Sequence, residues 1–474
     1  MIRNLAVFVA VSIAIACGGS GGGGGSGTGG TGGVGAGGSA GSGGAGGDGG
    51  TGGTGGTGGL PGTGGSGGMG GAGGTGGTPV SQDVVGTVID HSGEPLSGAL
   101  VALDGDYDNL VITGIDGRFV FPSVADTYTL TVASEGSNFL HLVGLRRRNP
   151  VVPIQQVASG FVRPRSMQVS GTVGSDDTDL FPLAGKAIVI GFDGESLSLL
   201  QADPDGTFGN NALWFGPKER PANAMALLVN DAGGTAVEVF DAGKAQVTLR
   251  DGDTADSLEI ELGMGPPASA ESKIKPDFGA YSANPSVNLT SFTVHGFRFN
   301  VFESLPTTDE YSISLPQGPS RVLINGFDPD GNQALVASSL SLGGETALRL
   351  PDKTVVKTVL PEEGQTGVSS TPTLGWTPLP GADVNWVFVL APGANYAFIV
   401  PGSATTLKLP DLEPLGGGIP GNALVKWSVY SFKGKPMDGD GLTDGSGAGF
   451  YRIFTAAAVQ EVHITALASF TTAP

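Results

Sequence analysis

Val85-Gly86-Thr87-Val88, a turn at His91-Ser92-Gly93, Pro95-Leu96-Ser97-Gly98-Ala99, Val101-Ala102-Leu103, Thr113-Gly114, Asp116-Gly117-Arg118-Phe119 and Tyr128-Thr129-Leu130-Thr131-Val132 follow one another in the sequence. This order decides the fold. Its apolar residues alternate with polar ones, the period of a half-buried strand, and Gly, Asp and Pro punctuate the runs where a chain must reverse. Asp116-Gly117 is the pairing expected of a hairpin turn whose twist matches that of strands. Similar runs recur at roughly ten-residue spacing to the C-terminus without a sustained helical period, so the chain is expected to be all-β, built of tandem small β-sandwiches with almost no helix.

A second copy of the pattern reads Val169-Ser170-Gly171-Thr172-Val173, Pro182-Leu183-Ala184-Gly185, Ile188-Val189-Ile190 and Asp203-Pro204-Asp205-Gly206-Thr207-Phe208. Both copies resemble the carboxypeptidase regulatory-like domain, a transthyretin-like sandwich, and the resemblance implies a non-catalytic module at residues 79–165 and another at 166–265. Residues 266–353, with Phe292-Thr293-Val294 and Arg321-Val322-Leu323-Ile324, read as a further sandwich of no assigned family. Its Asp328-Pro329-Asp330-Gly331 echoes the segment Leu227 to Asp231. Residues 354–474 resemble a fibronectin type III domain through Leu374-Gly375-Trp376, Trp386-Val387-Phe388-Val389 and Lys426-Trp427-Ser428-Val429-Tyr430. That resemblance makes Trp376 the core tryptophan of an early strand.

The N-terminus carries a different message. After Arg3 comes an apolar run from Leu5 to Ala16 interrupted only by Ser12, then Cys17. The run is too short to cross a bilayer of roughly 30 Å and has the layout of a signal peptide, residues 1–16. Ala14-Ile15-Ala16-Cys17 resembles a bacterial lipobox, with Ala14 where Leu is preferred, and implies that the thiol of Cys17 receives diacylglycerol and further acyl chains such as palmitate. The plainer alternative is an ordinary signal peptide with an incidental cysteine. Gly18 follows where lipoproteins kept at the inner membrane commonly carry Asp, so the resemblance points to the outer membrane. Residues 18–78 hold 39 of the 85 glycines in repeats of Gly-Gly-Thr, Gly-Gly-Ser and Gly-Gly-Ala. Such a stretch cannot repay the entropy of ordering, and with Cys17 it is read as a disordered tether spanning about 40–45 Å.

Composition removes several functions. The net charge is −20, and Arg146-Arg147-Arg148 is the one basic run, so no nucleic-acid partner is expected. That run reads as a solvated turn or as a contact to an anion or lipid headgroup. The single cysteine, Cys17, allows no internal disulfide and no cysteine-based zinc site. His91, His141, His295 and His463 fall in separate segments and read as structural. Gly37-Gly38-Ser39-Ala40-Gly41 matches a nucleophile elbow only in letters, since no strand precedes it. Asp438, Asp440 and Asp444 have a spacing that can converge on calcium, or form a solvated turn; no other cofactor is indicated. The expected function is therefore an envelope-anchored, non-catalytic structural, adhesion or binding module, its partners the membrane and a carbohydrate or envelope protein. The alternative is an accessory that presents or assists an envelope hydrolase.

Overall fold

The computed structural model describes residues 82–90, 92–134, 138–154, 164–175, 186–193, 200–230, 238–305, 308–445 and 459–474. Over these the chain is β throughout, and helical turns such as Gly439–Leu442 are short.

One seven-strand sandwich is used three times. Its first strand lies between the fourth, which runs antiparallel, and the seventh, which runs parallel. The three examples are Gln82–Ile89 between Arg118–Val124 and Val151–Pro153, Arg165–Ser175 between Thr207–Trp214 and Thr254–Leu262, and Ser269–Asp277 between Tyr311–Pro316 and Glu345–Arg349. The opposite layer has the order third, second, fifth, sixth. In the first copy these are Asp106–Ile112, Leu100–Leu103, Tyr128–Ser134 and Asn138–Leu145. They are Leu200–Gln201, Lys186–Phe192, Glu219–Asn230 and Val239–Arg250 in the second, and Phe297–Leu305, Ala283–Val294, Arg321–Phe327 and Gln333–Ser339 in the third. The third copy, which the sequence left without a family, thus has the strand order of the other two.

The register explains why only two copies are legible. Gly86 lies opposite Phe119, and Gly171 opposite Phe208. A Cβ on Gly86 would run into the Phe119 ring, and one on Gly171 into the backbone of Leu258. The glycine is therefore dictated by close approach in a strand. In the third copy an inward-facing pair of the first and fourth strands is Ser272 opposite Ile313, both buried, so the same layer is packed without the glycine–phenylalanine signature. One local expectation is corrected. Asp116-Gly117 does turn, with Gly117 at φ 68°, but it joins strands of opposite layers; the two-residue hairpin turn is Asp104-Gly105, at φ 50° and 77°.

The last sandwich sets Thr358–Leu360, Thr373–Trp376 and Thr406–Lys408 against a layer containing Val384–Ala391, Ala394–Pro401, Leu424–Lys433 and Ala468–Thr472. Trp376, Trp386 and Trp427 are all buried. It also joins two of the other sandwiches. Its Ala394–Pro401 pairs in parallel with Asn138–Leu145, the sixth strand of the first copy. Its Glu461–Ile464 pairs antiparallel with Gln333–Ser339, the sixth strand of the third. One layer from each of three sandwiches thereby joins a single 14-stranded sheet. The second copy instead pairs its sixth strand with its own seventh at Gly243 and Leu262, and lays Val189, Leu227 and Val239 into the core of the third.

Candidate functional site

Cys17, the signal peptide, the tether, the Ser39 pattern and His91 lie outside the described residues. Two features that the sequence treated separately meet across the seam between the first and last sandwiches. The Oδ1 of Asp440 accepts the backbone amides of Arg146 at 3.0 Å and Arg147 at 2.9 Å, and the Arg147 guanidinium donates to the Asp440 carbonyl at 3.1 Å. Val151 N donates to Thr443 O at 2.9 Å, and Val151 bridges to Asp444. Asp438 caps the short helix Gly439–Leu442 by accepting from Gly441 N at 2.8 Å. Burial, reinforced by nearby Asp440, raises its carboxyl above the usual range despite that bond. The Tyr128 hydroxyl donates to Arg147 O and is pushed up to about 12 by burial, with the charge of Asp440 adding to it. The basic run and the acidic loop are thus partners, a clasp that holds the first sandwich to the last. Among the described residues no group of three or more His, Cys, Asp or Glu is placed to hold a metal ion.

The seam between the third and last sandwiches is closed by a chain of polar groups that runs from half-buried Lys433 and Glu461 to buried His463 and Tyr281. Lys433 Nζ pairs with Glu461, whose other oxygen lies 2.7 Å from His463 Nε2; His463 Nδ1 is 3.4 Å from the Tyr281 hydroxyl, which accepts from Val355 N at 3.2 Å. Burial alone would raise the Glu461 carboxyl, but bonds from His463 and Lys433 and their charges outweigh it and bring it down to about 2. Beside this chain, Asp328 accepts from Asp330 N, Asn332 N, Asn332 Nδ2 and the Thr354 hydroxyl, while Asn332 Oδ1 takes Ala466 N at 2.8 Å. The Asp-Pro-Asp-Gly turn, read in the sequence as ordinary turn vocabulary, also ties three segments together. Arg165, 4% exposed, is held within the second copy by Asp251 at 2.9 Å and Gly216 O at 2.8 Å, and reaches Glu94 of the first copy at 3.2 Å. Sequence reasoning missed Arg165, Glu461 and Tyr281, because isolated residues without spacing carry no local signal of distant partners.

Two further histidines, His141 and His295, lie among the described residues. His141 stacks obliquely near Phe398 at 5.8 Å, lies 2.9 Å from the Thr131 hydroxyl, and is lowered to about 4 by burial. His295 Nε2 lies 3.2 Å from Gly265 O.

A groove of about 340 Å³ opens on the last sandwich, a volume in the range of small-ligand clefts. Its floor contains Tyr396, Phe398, Leu409 and Leu412, and its rim Ser370, Asp411, Glu413 and Gly418. The Tyr396 hydroxyl donates to Gly417 O at 2.8 Å and fixes one wall.

No protein-family model and no curated protein matches the sequence. Among solved structures, a leucine-rich repeat protein from Bacteroides thetaiotaomicron is 12% identical over 40% of this chain and 26% of its own, with a TM-score of 0.18. The tetra-tandem repeat in the extending region of a large adhesion protein is 12% identical over 83% and 99%, with a TM-score of 0.14. BcpA, the major pilin subunit of Bacillus cereus, is 9% identical over 57% and 99%, with a TM-score of 0.14. The chain spans about a quarter of the first of these structures.

Proposed function

We propose that the protein is an exported lipoprotein, held by acyl chains on Cys17 at the outer membrane, that displays a stiff, non-catalytic β-body for adhesion or binding to carbohydrate or envelope protein. Residues 18–78 connect that anchor to the β-body. The observation that carries the reading is the 14-stranded sheet: three sandwiches share one hydrogen-bonded layer, and partly buried polar groups close the seams. Such a construction spends its polar residues on holding modules in fixed relation, which suits presentation of a surface rather than opening and closing around a reacting substrate. Two acyl chains or more, at about 0.8 kcal/mol per buried methylene, make the anchorage stable, whereas a single chain would not.

Metabolic labelling of cells with a fatty-acid probe tests the anchor: label is expected on the wild-type chain and absent from Cys17→Ser. Label persisting in Cys17→Ser removes the lipoprotein assignment. A glycan-array screen paired with pull-down from envelope extract tests the display reading. A reproducible hydrolase partner, with no glycan or matrix signal, would move the assignment to the accessory role.

A further inference from the structure

We infer that the groove on the last sandwich receives the basic side chain, lysine or arginine, of a partner polypeptide. The inference rests on the display reading and names the chemistry that one surface of the body recognises. Two carboxylates, Asp411 and Glu413, stand on the rim, both exposed, and no Lys, Arg or His is among the lining residues. Asp411 uses one oxygen to accept Glu413 N at 3.1 Å, and among the described residues neither carboxylate has an ion-pair partner. Beside the rim the wall is apolar through Pro410, Ile419 and Pro420, all at least partly exposed. A long aliphatic stem ending in a cation matches that gradient: the methylenes cover apolar surface while the charged head stays at the rim among carboxylates and water.

The floor argues against a sugar. A saccharide ring docks on the open face of an aromatic side chain, but Tyr396 and Phe398 are 2% and 1% exposed and offer no such platform. The volume is that of a single long side chain with its water, which fits one anchor residue rather than a folded surface.

The test uses the full chain, purified in detergent, and a capped Gly-Gly-Lys-Gly-Gly peptide, with the acetyl-lysine and arginine versions and an N-acetylglucosamine oligomer as comparisons. The lysine and arginine peptides are expected to saturate one site, and acetylation to weaken binding by about tenfold or more. Asp411→Asn with Glu413→Gln is expected to cause a similar loss. Asp309→Asn with Glu259→Gln, which removes the same charge from exposed positions on other sandwiches, is expected to leave binding unchanged. Equal loss in both double variants means diffuse attraction to an acidic protein and overturns the site. So does failure of the lysine peptide to saturate, or saturation by the oligosaccharide at this groove. None of these outcomes touches the Cys17 labelling result, so the two readings fail separately.

Discussion

The sixth strand of the repeated sandwich meets three different ends. In the first copy, Asn138–Leu145 joins the last sandwich in parallel and is secured by the Asp440 clasp. In the third, Gln333–Ser339 joins it antiparallel and is secured by the Lys433–Glu461–His463–Tyr281 chain. In the second, Val239–Arg250 turns back to its own seventh strand. An exposed sheet edge is a row of unpaired donors and acceptors that some partner will take. The comparison teaches that one topology can serve as an insulated unit or as a coupling element, depending on what covers that edge.

The coupling can be broken most severely at Trp386. It is fully buried, donates to Met437 O at 2.7 Å, and lies in a core that also contains Leu130 and Leu140 of the first copy. Trp386→Ala is expected to cost about 3–5 kcal/mol in denaturant unfolding. If the seam couples the sandwiches, hydrogen exchange should accelerate in the strand Tyr128–Ser134 as well as in the last sandwich. Acceleration confined to the last sandwich would show that the two sandwiches unfold independently.

The two seams should also respond to acid in different windows. His141, at the first seam, is held near 4 in the folded chain against an ordinary value of 6.5, because burial disfavours its charged form. A group that binds its proton more weakly when folded stabilises fully above 6.5 and loses that contribution as pH falls towards 4, by at most about 3 kcal/mol. Glu461, at the third seam, is brought from 4.5 to about 2, so its contribution is present above 4.5 and disappears between there and pH 2. Amide exchange followed by pH should show Asn138–Leu145 loosening first and Glu461–Ile464 later. Replacing His141 with Gln should flatten the upper window; an unaltered slope there would sink the assignment.

A smaller loss is expected on removing the clasp. Asp440→Ala deletes two bonds from a charged acceptor to Arg146 and Arg147 amides in a half-buried loop, worth about 1–2 kcal/mol together after solvent takes part of each. The loss should appear in thermal unfolding, and an unchanged midpoint would show that the clasp contributes nothing to stability. The smallest effect is the one expected from chelation. Oxygens of Asp438 and Asp440 already serve Gly441, Arg146 and Arg147, so a calcium chelator is expected to leave the melting temperature where it was. A fall would show that a cation binds the folded state.

Much of each sandwich was legible. Alternation buries Val84, Val88, Phe119 and Phe121 while Arg118 and Val120 face outward, because strand geometry sends successive side chains to opposite sides. The V-x-G-T-V glycines could be read because close approach leaves a residue type that nothing else replaces. The candidate groove could not: its lining joins Ser370, Tyr396 and Asp411, each ordinary in its own segment.

By itself the sequence determined that this chain is all-β, repetitive, acidic and preceded by a glycine-rich segment, since those properties follow from local periodicity and composition. Only the tertiary structure decided that the third sandwich repeats the first two, that Arg146–Arg148 and Asp438–Asp444 are one feature, and that the last sandwich fuses the first and third into one sheet. Strand edges pair through backbone groups, which every residue except proline carries alike. Which edge meets which is therefore settled by packing among segments as much as 294 residues apart, as when Asn332 accepts the amide of Ala466 or Asp440 that of Arg146, and no short stretch of sequence encodes it.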